Sequence, residues 1–296
     1  MKDARFEFLE SSHYPIEMTY EFRRKPPFYT IIQDKGLLFS LIILFILILG
    51  STLAFLAPFD PNQMSVQEKL LGPSEKHWFG TDDYGRDYFA RILYGGQISL
   101  MVGFFAMVVS VSVGVIVGTI SGYLGGRIDG FIMRFLDIFM ALPSFFLIMI
   151  LSAYLKLGIL SIILIIGLLS WMDVARIVRA QTLSLKNREY VLYAKATGEG
   201  KWRIIFKHIV PGIIPSFIVA SSLNIANAIL TESALSFLGL GIQQPDASWG
   251  SMLYNAQGFI GQASYLAIIP GILILIVILA FNVLGDSIQR ILERRE

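Results

Sequence analysis

The chain contains no cysteine, which excludes disulfides and thiolate metal ligation and leaves the redox compartment open. Histidine is nearly as scarce. His13, His77 and His208 stand far apart, and no zinc-ligand spacing can be built from them, so no metal site is expected. Charge is thin as well: Asp, Glu, Lys and Arg make up 16% of the 296 residues, against about 25% in soluble domains. A P-loop is also missing. The nearest approach, Gly198-Glu199-Gly200-Lys201-Trp202, lacks the hydroxyl residue and the spacing that hold phosphates. ATP and magnesium, if used, therefore bind another chain, and this one is read as non-catalytic with no cofactor of its own. An intramembrane enzyme would need a buried pair such as Ser with His, and no histidine falls inside a clear apolar run. Nothing points to a nucleic-acid partner.

What is abundant is apolar sequence. Hydrophobic residues reach 55%, and they lie in long runs rather than periodic stripes. A bilayer core takes about 20 apolar helical residues. Uncharged runs cover Gly36–Ala57, Gln97–Gly126, Ile138–Leu155, Leu157–Met172, Ile209–Thr231 and Leu266–Gly285. The expected fold is an all-α polytopic bundle embedded in the bilayer, with six transmembrane helices. The first run begins only after a long polar stretch, unlike a secretory signal.

This predicts a polar segment over 1–35, a first helix over 36–57, an outer loop over 58–96 and a core over 97–286. Core helices are expected near 97–124, 131–155, 157–178, 209–236 and 266–286, with an inner loop over 179–208 and a tail over 287–296. Six spans put both termini on one side. Placing them inside leaves nineteen Lys and Arg in the cytoplasm and five outside, Lys69, Lys76, Arg86, Arg91 and Lys156. That is the positive-inside pattern, so both termini are expected to be cytoplasmic.

Inside the membrane, small and polar residues are the pointers. Gly114, Gly118 and Gly122 recur every four residues, a spacing that lets two helices approach closely. Pro143 should bend the third span. Ser221, Asn224, Asn227 and Thr231 share one face of the fifth span, with Glu232 next in sequence. Such a face either lines a path or forms an interhelical hydrogen-bond seam. Arg134 with Asp137 and Asp173 with Arg176 form i,i+3 pairs of a structural kind. In the inner loop, Gly198-Glu199-Gly200 separates two helix-compatible stretches. In the second of these, Trp202, Ile205, Phe206 and Ile209 form an amphipathic stripe, suited either to a partner or to lipid headgroups.

Arg188-Glu189-Tyr190-Val191-Leu192-Tyr193-Ala194-Lys195-Ala196-Thr197-Gly198, followed by Pro211, resembles the EAA loop of ABC importer permeases. Ala194, Gly198 and Pro211 match that motif, while Leu192 and Tyr193 replace its Glu and first Ala. The segment Phe79–Asp87 with Arg91, Tyr94-Gly95 and Ser99-Leu100 is similar to one branch of these permeases. So are Glu232–Gly241, Pro245, Ser248-Trp249-Gly250 and Leu279–Asp286. The branch is the dipeptide/oligopeptide/nickel permease family in its C-type subunit, and the likeness runs from about Phe28 to Arg290.

The resemblance implies a subunit of a bacterial or archaeal inner-membrane importer. It would form half of a path beside a second, B-type permease. Two ATPase subunits would dock beneath, on the loop bearing Arg188, Glu189, Leu192, Tyr193, Ala194, Ala196, Gly198 and Pro211. An extracytoplasmic solute-binding protein would deliver the solute. Peptides are the expected solute and nickel the alternative, because the polar face offers neutral donors and acceptors rather than the ligands a bare metal ion favours. A stand-alone channel or secondary transporter is the remoter reading, since no inverted repeat is apparent.

Overall fold

A computed structural model describes residues 34–155 and 158–293. The basic segment Arg23–Lys25, His13, the outer charge Lys156, and Arg294 and Arg295 lie outside the described residues.

Every element named here is helical. Helix α1 is Lys35–Thr52 and α2 is Tyr88–Leu124. The next stretch breaks into α3, Gly126–Met140, and α4, Ser144–Tyr154, bent by 77° at Ala141-Leu142-Pro143. Helix α5 is Ile159–Leu185 and α6 is the short Glu189–Ala196. Helix α7 runs from Lys201 to Phe237, α8 is Trp249–Ala256, and α9 is Tyr265–Glu293. Five of these, α1, α2, α5, α7 and α9, are long and apolar enough to cross a membrane, and α3 with α4 makes a sixth if taken together.

Packing settles whether the bent pair crosses. A Cβ on Gly114 would sit 2.6 Å from the Cβ of Val174, and one on Gly118 would sit 2.5 Å from the Ala175 carbonyl. On Gly122 it would meet the Thr182 Cβ at 2.7 Å, and on Gly167 the Val109 Cβ at 2.7 Å. The contacts advance together along both chains, so α2 and α5 run parallel. Two parallel neighbours require the chain between them to return across the bilayer. Only α3 with α4 is available for that, since α4 alone, at 11 residues, spans about 16 Å at 1.5 Å per residue. The bent pair is therefore one crossing, and the described residues make six.

The two described ends meet on one side. Asp34 caps α1 by accepting from the Leu37 amide at 3.0 Å. It also lies 3.3 Å from Ser287 Oγ and 3.5 Å from Arg290 Nη2, near the end of α9. The hydrogen bonds from the Leu37 amide and from Ser287, with the Arg290 charge, hold the Asp34 carboxyl below its usual range.

Several boundaries differ from those expected. Helix α1 stops at Thr52, five residues short. Helix α2 starts at Tyr88 rather than near 97, because Asp87 accepts from the Ala90 amide at 2.8 Å and caps it there. Pro143 does not merely bend the third span. It sits at the break, where its missing N–H ends one helix and starts the next. The inner loop is helical through most of its length. Helix α5 continues to Leu185, α6 follows, and the second stretch, beginning at Lys201, joins the fifth span as α7 without a break.

The segment before α2 folds into a polar cap. Asp82 accepts from the amides of Tyr84 and Arg86 at 2.9 and 3.0 Å and from Arg86 Nε at 2.6 Å. Arg91 Nε lies 3.5 Å away, and both arginines are buried. Burial, with the Asp82 carboxylate beside it, pushes the Asp83 carboxyl above its usual range. Gly80 and Gly85, at φ of 78° and 74°, make the turns that close the cap. Tyr265 Oη reaches the carbonyls of Leu71 and Thr81 at 2.7 and 2.8 Å, and Tyr88 Oη donates to the Leu266 carbonyl at 2.5 Å. The cap is thereby fastened to both α2 and α9.

The glycine seam yields a direct test. Gly118→Val should destabilise the purified chain by about 1–3 kcal/mol through overpacking, seen as a lower midpoint of thermal unfolding in detergent. Gly130→Ala, at a helical position with nothing within 4 Å of the added carbon, should not lower the midpoint and should raise it slightly, because Ala favours the helix over Gly.

Candidate coupling surface and translocation face

Helix α6 carries most of the motif Arg188–Gly198. It ends because Gly198 adopts φ of 81°, which a residue without Cβ enters at little cost. The Glu199 amide then bonds back to the Ala194 carbonyl at 3.0 Å and the Gly198 amide to that of Lys195 at 3.1 Å. This pair of bonds is the Schellman arrangement, which satisfies carbonyls that a helix end leaves open. The reversed chain enters α7 at Lys201.

The faces of α6 divide sharply. Val191 and Ala194 are buried, in a cluster with Val178, Ile204 and Ile209. Tyr190, Leu192 and Tyr193 are exposed, Tyr193 by 72%, and Arg188, Glu189 and Ala196 are exposed too. Ala194, assigned with the others to a docking surface, instead packs the helix onto the bundle. A protein approaching α6 meets Tyr190, Leu192 and Tyr193.

The start of α7 also corrects the expected stripe. Residues Ile205–Ile209 are wound as a π-helix. Pro211 lacks the amide that would bond one α-turn back, and the wider i→i+5 register accommodates that loss. Ile205 and Ile209 are buried, while Trp202 and Phe206 are exposed and stacked at 6.4 Å, so the four residues do not form one face. His208 Nε2 lies 3.0 Å from Glu199 Oε2, and Lys207 Nζ 3.6 Å from Oε1. The His208 contact, aided by the Lys207 charge, holds the Glu199 carboxyl below its usual range. A carboxylate with a lowered folded-state pKa favours the fold above its unfolded-state value, and that support is lost as pH falls through the lowered one. The Glu199 carboxylate is thus ionised at neutral pH. A cleft of about 500 Å3 opens here, walled by Tyr190, Tyr193, Glu199 and His208.

The ion pairs at this end cross between helices rather than staying within them. Arg179 on α5 makes two bonds to Asp129 on α3, at 2.5 and 2.6 Å, and Ser121 donates to the same carboxylate at 2.6 Å. Arg176 reaches Asp137 at 2.7 Å. The i,i+3 partners read from the sequence, Arg134 with Asp137 and Asp173 with Arg176, are not the pairs formed. Lys186 Nζ donates to the Gly122 carbonyl at 2.9 Å, and Lys195 of α6 sits over the Tyr123 ring. Helix α6 thus bears on the C-terminal end of α2.

On α7, Asn227 is exposed and Ser221, Asn224 and Thr231 are half-buried, with the Asn224 Oδ1 itself buried and, among the described residues, without a hydrogen-bond partner. Ser221 and Thr231 donate to carbonyls of their own helix, Phe217 and Asn227, each at 2.8 Å. Below Ser221 the face continues as an apolar groove of about 580 Å3 between α2 and α7, walled by Met107, Val111, Ile213 and Phe217. Glu232 does not belong to this face. One residue turns a helix by about 100°, and that carries the Glu232 carboxyl to the packed side, where it is fully buried. The sequence reading missed this because adjacency in sequence is not adjacency on a helix.

Comparison with known proteins agrees with this architecture. Residues 114–296 match the family described as binding-protein-dependent transport system inner membrane component. The dipeptide transport system permease protein DppC of Alkalihalophilus pseudofirmus is 38% identical over 225 residues, 76% of this chain and 74% of that one. The probable D,D-dipeptide transport system permease protein DdpC of Escherichia coli is 38% identical over 254 residues, 86% and 85% of the two chains. The glutathione transport system permease protein GsiD of Pectobacterium atrosepticum is 37% identical over 262 residues, 88% and 87%.

The two pairs that hold α3 should differ in weight. Asp129→Asn removes a half-buried, bidentate contact and should destabilise the chain by about 1–3 kcal/mol. Arg176→Ala breaks an exposed pair, worth about 0–1 kcal/mol. Thermal unfolding of the two variants in the same detergent compares them, and equal shifts would contradict this ranking.

Proposed function

Because the chain belongs to the binding-protein-dependent transport system inner membrane components, we propose that it is the permease half of an importer for di- and oligopeptides. It forms its part of the path with the open face of α7 and a second permease supplies the rest. An extracytoplasmic binding protein delivers the peptide. ATP is hydrolysed by partner subunits that meet the exposed side of α6.

The observation that carries the peptide reading is the open face itself. Ser221, Asn227 and Thr231 offer hydroxyls and an amide without charge, with Asn224 half-buried beside them, and these suit the donors and acceptors of a peptide backbone. Glu232, the one carboxylate that might have served a metal ion, faces the other way. The relatives named for dipeptides and glutathione support the same reading.

For coupling, the rigid course of the chain is the argument. The exposed tyrosines of α6, its Gly198 turn and the uninterrupted α7 connect a push on the inner surface to the residues of the open face. The excess of Lys and Arg on the side of the described ends supports a cytoplasmic assignment of that side.

Two experiments test these assignments. The natural lack of cysteine allows single-cysteine labelling without background. Glu75→Cys, in the outer cap, should react with an impermeant thiol reagent in intact cells, and Thr197→Cys only after the membrane is opened. The reverse pattern would overturn the orientation and the coupling role together. In cells lacking this gene, a labelled di- or oligopeptide should fail to accumulate while nickel uptake stays normal. Normal peptide uptake with lost nickel uptake would reject the peptide reading and leave family membership intact.

A further inference from the structure

Glu232 has 0% exposure and, among the described residues, no ion pair. Its carboxyl is held by hydroxyl groups alone. Ser236 Oγ donates to Oε1 at 2.7 Å, and Ser99 Oγ lies 3.4 Å from Oε2. Those serines carry the contact outward. Ser99 Oγ accepts from the Trp249 amide at 3.2 Å, and Ser236 Oγ accepts from the Ile242 amide at 3.0 Å and lies 3.4 Å from Ser248 Oγ. Ser248 is the N-cap of α8, and the Trp249 indole donates to the Ile92 carbonyl of α2 at 3.0 Å. One carboxyl on α7 thereby gathers α2, the chain after α7 and the start of α8.

An apolar side chain would fill this space without the cost of burying a carboxyl in a membrane protein. What it would lack is direction. Apolar packing tolerates a helix turning about its own axis. This carboxyl is instead tied to Ser99 on α2 directly and, through Ser236 of its own helix, to the Ile242 amide and Ser248, contacts that favour one setting. The backbone around the carboxyl is already tightly placed: a Cβ on Gly103 would meet Ile229 Cγ1 at 2.5 Å, and one on Gly250 would meet Ser233 Cα at 2.5 Å. Glu232 is one residue from Thr231 and five from Asn227, so its setting decides where those side chains point.

We infer that Glu232 is a positioning residue for the translocation face: its hydroxyl cluster fixes the rotation of the outer third of α7, and so keeps Asn227 and Thr231 on the open side. It touches no solute and acts through the helix. The inference rests on the reading of that side as the path, but its test does not.

The reporter is Asn227→Cys in the full chain purified in detergent, with the rate of reaction toward a soluble thiol reagent as the measurement. Glu232→Ala should change that rate by roughly tenfold, the size expected when a buried hydrogen-bond cluster is lost. Glu75→Cys, in the outer cap, should react as before. Glu232→Gln should keep the rate within about twofold of the parent, because an amide oxygen still accepts from Ser236. Should Glu232→Ala fail to accumulate, the double variant Ser99→Ala with Ser236→Ala removes the same donors and carries the same expectation. An unchanged rate in the alanine variants, a glutamine variant as disturbed as the alanine one, or a parent reporter that does not react would each overturn the inference. The path reading is tested apart from this, by peptide uptake with Asn227→Leu. Normal uptake there, with a reporter that still responds to Glu232→Ala, would reject the path and keep the positioning role.

Discussion

The close parallel contact of α2 with α5 governs the rest of the architecture. Gly114, Gly118, Gly122 and Gly167 bring the two helices so near that an added carbon at any of them would overlap the neighbour. In a bilayer there is no hydrophobic drive between helices, so association depends on this kind of backbone approach. Because the pair is parallel, the chain between must cross back, and it does so through the bent elements α3 and α4. Six crossings follow, and with them the meeting of Asp34 and Arg290 on one side. The same seam brings Arg176 and Arg179 of α5 within reach of α3, whose only fully buried residue is Leu136. Ion pairs thus hold α3 where packing is sparse.

A second constraint is the placement of charge in the cap before α2. Arg86 and Arg91 are among the largest buried side chains, and both are drawn to Asp82. The cap they build does two jobs at once. It provides Asp87 to start α2, and it offers backbone carbonyls to Tyr265 at the start of α9. Glu232 has no cation partner among the described residues and is held by serines instead. Buried charge here is handled by local partners on several elements, which specifies the arrangement of helices more narrowly than apolar contact would.

On the inner side the proposed transmission is a matter of continuity. Val191 and Ala194 bind α6 to the bundle, the Gly198 turn fixes its angle, and α7 then runs 37 residues to the opposite side. The π-helical stretch before Pro211 keeps that helix unbroken where a proline would otherwise interrupt it.

Much of this was legible in the residues themselves. Long uncharged runs declare membrane spans because unpaired backbone groups cannot remain in hydrocarbon outside a helix. The spacing of Gly114, Gly118 and Gly122, the turn at Gly198, the proline at 143 and the serine and asparagine face of α7 are local periodicities or local backbone needs, which a sequence states directly. Tertiary structure decided what depends on distant partners. Whether Arg176 bonds Asp173 or Asp137, whether Ala194 faces a partner or the bundle, and whether Glu232 lines the open side or closes a cluster with Ser99 are questions of rotation and neighbour. A helix repeats every 3.6 residues, so residues adjacent in sequence point in different directions. Which direction is inward is set only when the other helices are in place.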